Sequence, residues 1–277
     1  MSDSDSSNKS DSCDETSDDL NFDNKELISD GCIHYTRRCK FVSPCCQKIF
    51  TCRICHDEEV TSHQLNRHAV EGLVCSSCDC KQPVSNKCIS CGISFGNYFC
   101  PVCCMFDDRD KGQFHCDKCG ICRVGGRDNF FHCEKCGLCL PTIKLNAHRC
   151  IEKSSQSNCP ICMEDIHTSR IPAHVPKCGH LIHSKCYRML LKSGNFRCPS
   201  CGVSMEDMKQ YWEKLDEEIQ VTPMPSEYSD MKQWILCQDC QNVSHVKFHV
   251  LGMKCETCGS YNTCGADGPS NSEGTRV

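Results

Sequence analysis

Aromatic side chains are scarce in this chain of 277 residues, at 7%, with two tryptophans. Other apolar side chains are also sparse once cysteine is set aside from the 39% hydrophobic total. Such a composition excludes one large apolar core and fits several small modules closed by something other than packing. No apolar run reaches the roughly 18 residues of a membrane helix, so no membrane span is expected. Cationic excess is missing as well. Net charge is −5, and residues 1–30 alone hold ten acids and two lysines, leaving the remainder at +3. Neither value makes the basic face of a nucleic-acid binder. The N-terminal stretch carries acids where a secretion signal has its apolar core, so disulfides are not expected and the nucleus and cytoplasm are.

What the chain has is cysteine: 33 residues, with 13 histidines threaded among them. Thiolates two residues apart, with imidazoles close by, can converge on a tetrahedral zinc ion. Between Cys32 and Cys91 the candidate ligands are Cys32, His34, Cys45, Cys46, Cys52, Cys55, His56, His63, Cys75, Cys78, Cys88 and Cys91, with His68 an alternative to His63. Between Cys100 and Cys150 they are Cys100, Cys103, His115, Cys116, Cys119, Cys122, His132, Cys133, Cys136, Cys139, His148 and Cys150. Here Phe114-His115-Cys116-x2-Cys119-x2-Cys122 recurs as Phe131-His132-Cys133-x2-Cys136-x2-Cys139, a short repeat that predicts stacked turns closed by zinc. Cys159, Cys162, Cys178, His180, His183, Cys186, Cys198 and Cys201 form a third set, and Cys237, Cys240, Cys255 and Cys258 a fourth. These 36 side chains suffice for nine four-coordinate ions: three, three, two and one along the chain. Spacing leaves open which ligands share an ion between residues 32 and 150. Cys13, Cys39, Cys80, Cys104 and Cys264 are left over, and His167, His174, His245 and His249 fall outside ligand spacing.

The fold class expected is a zinc-stabilised, multi-module, irregular α+β protein. Its divisions are an acidic, disordered Ser/Asp-rich tail over 1–30, zinc modules over 31–98, 99–151 and 158–202, an amphipathic helix over 203–221, a β zinc ribbon over 230–262 and a disordered tail over 263–277. Met205, Met208, Trp212, Leu215 and Ile219 recur at helical spacing, with Ser204 and Asp207 patterned as a capping box. That stripe is expected to pack on its own module, and Thr222-Pro223 ends the helix. Val246, Phe248 and Val250 alternate as in a strand of a hairpin flanked by two Cys-x2-Cys knuckles.

The third set resembles a RING finger with two central histidines. Cys32-x-His34-Tyr35, the Cys55-His56 doublet and the doubled His-Cys-x2-Cys-x2-Cys repeat resemble the CHY and CTCHY zinc fingers. Together with the ribbon, residues 31–262 resemble the RING and CHY zinc finger domain-containing ubiquitin ligases. The resemblance implies a cross-brace, with Cys159, Cys162, His183 and Cys186 on one zinc and Cys178, His180, Cys198 and Cys201 on the other. It implies a groove for a ubiquitin-conjugating enzyme at Ile161, Leu190 and Pro199, although these three could instead fill a small core. RING ligases often carry a cation just after the eighth ligand to pin ubiquitin, a position that here is Gly202. The implied activity is promotion of ubiquitin transfer to substrate lysines without a covalent ubiquitin–ligase intermediate, leading to proteasomal degradation. No residue of this chain is then catalytic in the sense of a base or nucleophile. The implied partners are the conjugating enzyme, ubiquitin, protein substrates and a second copy of the chain. Two rivals stand beside this reading: a ligase with a cysteine nucleophile, and a non-catalytic zinc-scaffold adaptor.

Overall fold

The computed structural model describes residues 31–268 and divides into two compact units after Arg109. The expectations for residues 1–30, Cys13 among them, and for 269–277 lie outside the described residues.

In the first unit, β1 (Cys39–Val42), β2 (Ile49–Phe50), β3 (Gly72–Cys75) and β4 (Lys81–Pro83) form an antiparallel sheet in the order β2-β1-β3-β4, and α1 (Arg53–Glu59) follows β2. Cys52 starts α1 in an extended conformation, and its sulfur accepts a hydrogen bond from the Cys55 amide. The thiol thus takes the place that a hydroxyl or carboxylate usually holds at a helix N-terminus. β5 (Tyr98–Cys100) and β6 (Met105–Asp107) make a hairpin. Phe95 and Phe106 are fully buried and meet edge to face, while Phe99 stacks on Phe106 with ring centroids 4.8 Å apart. These rings join Phe41, Phe50 and Leu73 in one core, so the hairpin is part of the first unit. The unit boundary therefore falls inside the 99–151 stretch, not at its start.

The second unit opens with two hairpins, β7 (Phe114–Cys116) with β8 (Ile121–Arg123) and β9 (Phe130–Cys133) with β10 (Leu138–Pro141). Each turn is a Cys-x2-Cys knuckle ending in a glycine at positive φ, Gly120 at +69° and Gly137 at +70°. There the amide folds back onto the carbonyl of the first cysteine, at 2.9 Å and 2.8 Å, in a conformation that a Cβ would strain. Next come β11 (Ala173–His174), β12 (Ile182–His183) and α2 (Ser184–Lys192). Ile166, Val175, Leu181, Ile182 and Tyr187 form a small core that also takes in Leu138 and Leu140 of β10. α3 (Lys209–Val221) leads to a ribbon of β13 (Lys232–Cys237), β14 (Val243–Lys247) and β15 (Thr263–Gly265), in the order β14-β13-β15. No helix among the described residues is long and apolar enough to cross a membrane.

Three local expectations need correction. The helix begins at Lys209, six residues after the expected 203, and Met208 caps it without a side-chain bond. Met205 is instead buried in the core beside α2, and Ser204 hydrogen-bonds Asp239 of the ribbon, a partner distant in sequence. In the ribbon, β14 ends at Lys247 with Val246 buried, so Phe248 and Val250 lie beyond it, and the first knuckle is the hairpin's own turn. Residues 263–265, assigned to a disordered tail, pair with β13, and Cys264 sits opposite Leu236. Trp212 of α3 packs between Phe196 and Tyr261, with centroids 5.5 Å and 5.8 Å away, joining the helix to the modules on both sides.

Phe106 is completely buried between two other rings. Phe106→Ala is expected to cost about 3–5 kcal/mol, read as a lower denaturant midpoint of the zinc-loaded full chain.

Candidate metal centres and the RING groove

In the first unit, Cys32, His34, Cys52 and Cys55 bring their ligand atoms within 4.8 Å of one another, as do Cys75, Cys78, Cys88 and Cys91. His34 Nδ1 lies 3.5 Å from both the Cys52 and the Cys55 sulfur. Cys45 meets His56 Nε2 at 3.3 Å, and the His63 ring stands 5.2 Å from that of His56. Cys46 is drawn down to about 7, first by Ser43 and also by His56 and Cys45, which places it in the same cluster. His68 takes another partner, the Val102 carbonyl at 2.8 Å. Cys100 and Cys103 form the knuckle of the β5–β6 hairpin.

In the second unit, His115 Nδ1 lies 3.8 Å from Cys122. Cys116, Cys119, His132 and Cys139 make one tetrad, and Cys133, Cys136, His148 and Cys150 another. Cys116 and Cys119 come from the turn of β7–β8, whereas His132 and Cys139 come from β9 and β10. An ion here would tie one hairpin to the next rather than close a single turn. In the RING, Cys162 approaches His183 Nδ1 at 3.2 Å, and Cys186 is held up by burial and by contacts with Cys162 and Cys159. Cys178, Cys198 and Cys201 also interact with one another, and His180 lies two residues beyond Cys178 with a buried Nδ1. In the ribbon, Cys237 meets Cys258 at 3.5 Å and Cys240 meets Cys255 at 3.6 Å.

The acid–base state of these thiols explains why they suit a cation. A hydrogen bond from Cys178 pulls Cys198 down to about 5, and the same contact pushes Cys178 up. Cys32 falls to about 4 chiefly through Cys52, which rises. Each pair shares a proton that a divalent ion would displace. Sulfur with imidazole nitrogen, four per site, is the donor set of structural zinc, and a closed tetrad leaves no position for activating water.

A second layer of contacts escaped sequence reasoning. His34 Nε2 faces Glu58 at 3.2 Å, His56 Nδ1 faces Asp57 at 2.9 Å, and His148 Nδ1 donates to the Lys144 carbonyl at 2.7 Å. Such contacts fix which ring nitrogen turns to the metal. Glu58 and Asp57 stand three and one residues beyond Cys55 and His56, a signal too common on a helix to stand out.

Three of the spare cysteines, Cys39, Cys80 and Cys104, are poor nucleophiles. Burial pushes Cys39 up to about 12 and Cys104 up to about 11, and also raises Cys80. Cys264 accepts a hydrogen bond from the Gln238 carboxamide. The four other histidines have local partners: His167 meets the Cys119 carbonyl at 2.9 Å and His249 that of Thr222 at 2.9 Å, while His174 stacks on Tyr187 and His245 on Trp234.

On the RING surface, Ile161, Cys186, Met189, Leu190 and Ser193 line a shallow groove of about 340 Å³. Ile161 and Leu190 are half-buried against the RING core, and Pro199 is exposed on the second metal loop. Met189, 53% exposed in the same groove, was missed in sequence because its neighbour Leu190 carried the pattern. Lys185, Arg188 and Lys192 are exposed along the same helix.

Family models match in three places: the CHY zinc finger over residues 32–98, the Ring finger domain over 157–202 and a zinc-ribbon over 206–264. The chain is 46% identical over 241 residues to the E3 ubiquitin-protein ligase SRFP1 of Oryza sativa subsp. japonica, spanning 86% of this chain and 92% of that one. It is 44% identical to the E3 ubiquitin-protein ligase RZFP34 of Arabidopsis thaliana, spanning 84% and 83%. It is also 43% identical to the Zinc finger protein BRUTUS of Arabidopsis thaliana, where 84% of this chain corresponds to 19% of the longer protein.

Chelating all zinc is expected to abolish cooperative unfolding, because metal-binding energy is folding energy in such modules. Asp57→Asn is expected to weaken zinc binding at the His56 cluster roughly 10- to 100-fold, measured by competition with a chromogenic chelator.

Proposed function

We propose that this chain, which belongs to the family of RING and CHY zinc finger domain-containing E3 ubiquitin ligases, seats a ubiquitin-charged conjugating enzyme on the groove of Ile161, Met189 and Leu190 with Pro199 beside it. The observation that carries this reading is an apolar groove left open on the same frame that the metal ligands make rigid. The exposed cations of α2, the helix that supplies Met189 and Leu190, favour an acidic rim on the partner.

Zinc, when bound, would supply rigidity alone. The residues of the chain do the rest: the groove binds and orients the charged enzyme so that its thioester and the acceptor lysine meet in a reactive geometry. The thioester carbon–sulfur bond breaks, the lysine nitrogen forms the new amide, and the thiol returns to the conjugating enzyme. No thiol of this chain needs to carry ubiquitin, which agrees with the raised pKa values of Cys39 and Cys104. The zinc clusters outside the RING then serve as substrate-recruiting and self-associating surfaces. Proteasomal degradation would be the outcome for the substrate, in the nucleus and cytoplasm.

The test is an in vitro ubiquitination assay with a panel of conjugating enzymes. Ile161→Ala is expected to cost about 2 kcal/mol in conjugating-enzyme binding, on the order of 30-fold in affinity, and to abolish chain synthesis with zinc content unchanged. Chain synthesis at the wild-type rate by Ile161→Ala would overturn the groove. A wild-type chain inactive with every conjugating enzyme, yet still binding proteins, would mark it as an adaptor.

A further inference from the structure

The position just after the eighth RING ligand holds no side chain. Gly202 adopts φ +74°, and a Cβ there would stand 3.0 Å from the Gln238 Oε1 and 3.5 Å from its Cδ. The space into which residue 202 would project is thus bordered by a side chain of the ribbon, delivered from the knuckle of β13 and β14.

That placement is fixed by a dense polar anchor. Asp239 accepts from the Ser204 amide at 2.7 Å, the Ser204 hydroxyl at 2.9 Å, the Ser260 hydroxyl at 2.6 Å and the Asn262 carboxamide at 2.9 Å. The Asn262 carboxamide also donates to the Gly202 carbonyl at 2.8 Å, and the Gln238 amide donates to the Asn262 carbonyl at 2.8 Å. A second tie runs through α3, where Asp216 accepts from the Tyr261 hydroxyl at 2.6 Å and pairs with Lys254. Charge-assisted bonds of this kind, partly buried, hold two elements in one orientation. The ribbon is therefore a rigid continuation of the second RING loop, on which Pro199 stands three residues before Gly202.

We propose that the Gln238 carboxamide, presented over Gly202 by the ribbon, is the contact that orients ubiquitin on the charged conjugating enzyme, in place of a side chain at position 202. The proposal rests on the ligase reading and assigns one of its specificity-determining residues to a different module. Gln238 contacts the thioester-linked ubiquitin, so its effect lies in transfer, whereas Ile161 acts in docking. Asp239 is a positioning residue that works through Gln238.

The experiment is single-turnover discharge of a ubiquitin-charged conjugating enzyme to free lysine by the full-length chain, alongside binding of the uncharged enzyme. Gln238→Ala is expected to lower the maximal discharge rate about fivefold, the scale of one hydrogen bond, with affinity for the uncharged enzyme unchanged. Gln238→Arg, which supplies a cation at the same place, is expected to restore or raise the rate. Asp239→Ala, which releases the ribbon and so displaces Gln238 without altering it or any metal ligand, is expected to match Gln238→Ala. Wild-type discharge by Gln238→Ala or by Asp239→Ala overturns the proposal, as does an equal loss of affinity for the charged and uncharged enzymes. Failure of the wild type to promote discharge at all, with Ile161→Ala equally silent, would instead strike the ligase reading itself.

Discussion

Everything in this chain hangs on thiolates and imidazoles converging in fours. The apolar clusters are small, and cysteines are among their buried members. Side chains of this number cannot offset the conformational entropy of more than two hundred ordered residues by burial alone. Metal coordination does so locally, and it dictates the local geometry: a Cys-x2-Cys turn with a left-handed glycine, strands of two to six residues, and the starts of α1 and α2 at Cys52 and His183. Cys52, which caps α1 and belongs to a tetrad, combines both tasks in one sulfur.

Coordination also decides what the protein cannot do. A closed tetrad offers no open position for substrate, and among the described residues Cys39 and Cys104 are buried with raised pKa values while Cys264 is engaged at a strand. What the closed tetrads do offer is the shaping of surfaces. The groove of Ile161, Met189 and Leu190 is one such surface, apolar because its residues belong partly to the core beneath it. Its rigidity comes from metal loops on either side, not from a large hydrophobic floor.

How much of this can be read from sequence depends on the range of the interaction. Ligand spacing is local, so the candidate ligands and the module order stand out in the string of cysteines and histidines. The sharing of ions between β7–β8 and β9–β10 does not stand out, because a repeat of 16 or 17 residues fits both closure within a turn and bridging to the next. Ser204 shows the same limit. Its pattern with Asp207 is that of a helix cap, yet Asp239, 35 positions away, offers a stronger acceptor, and the helix starts at Lys209. Cys264 resembles tail because a lone cysteine among glycine and polar residues has no periodicity, and only the edge of β13 gives it a place. Asp57 and Glu58 are legible only once the imidazoles they orient have positions.

The leucines of β10 give this architecture a historical reading. Leu138 and Leu140 belong to the second hairpin by sequence but to the RING by burial, sharing one core with Ile166 and Ile182. A recombination event that cut between the two would strip the RING of part of its floor and leave two leucines in water. The heritable piece is therefore larger than any single zinc finger. The match to the much longer BRUTUS protein takes in 84% of this chain, more than any single finger.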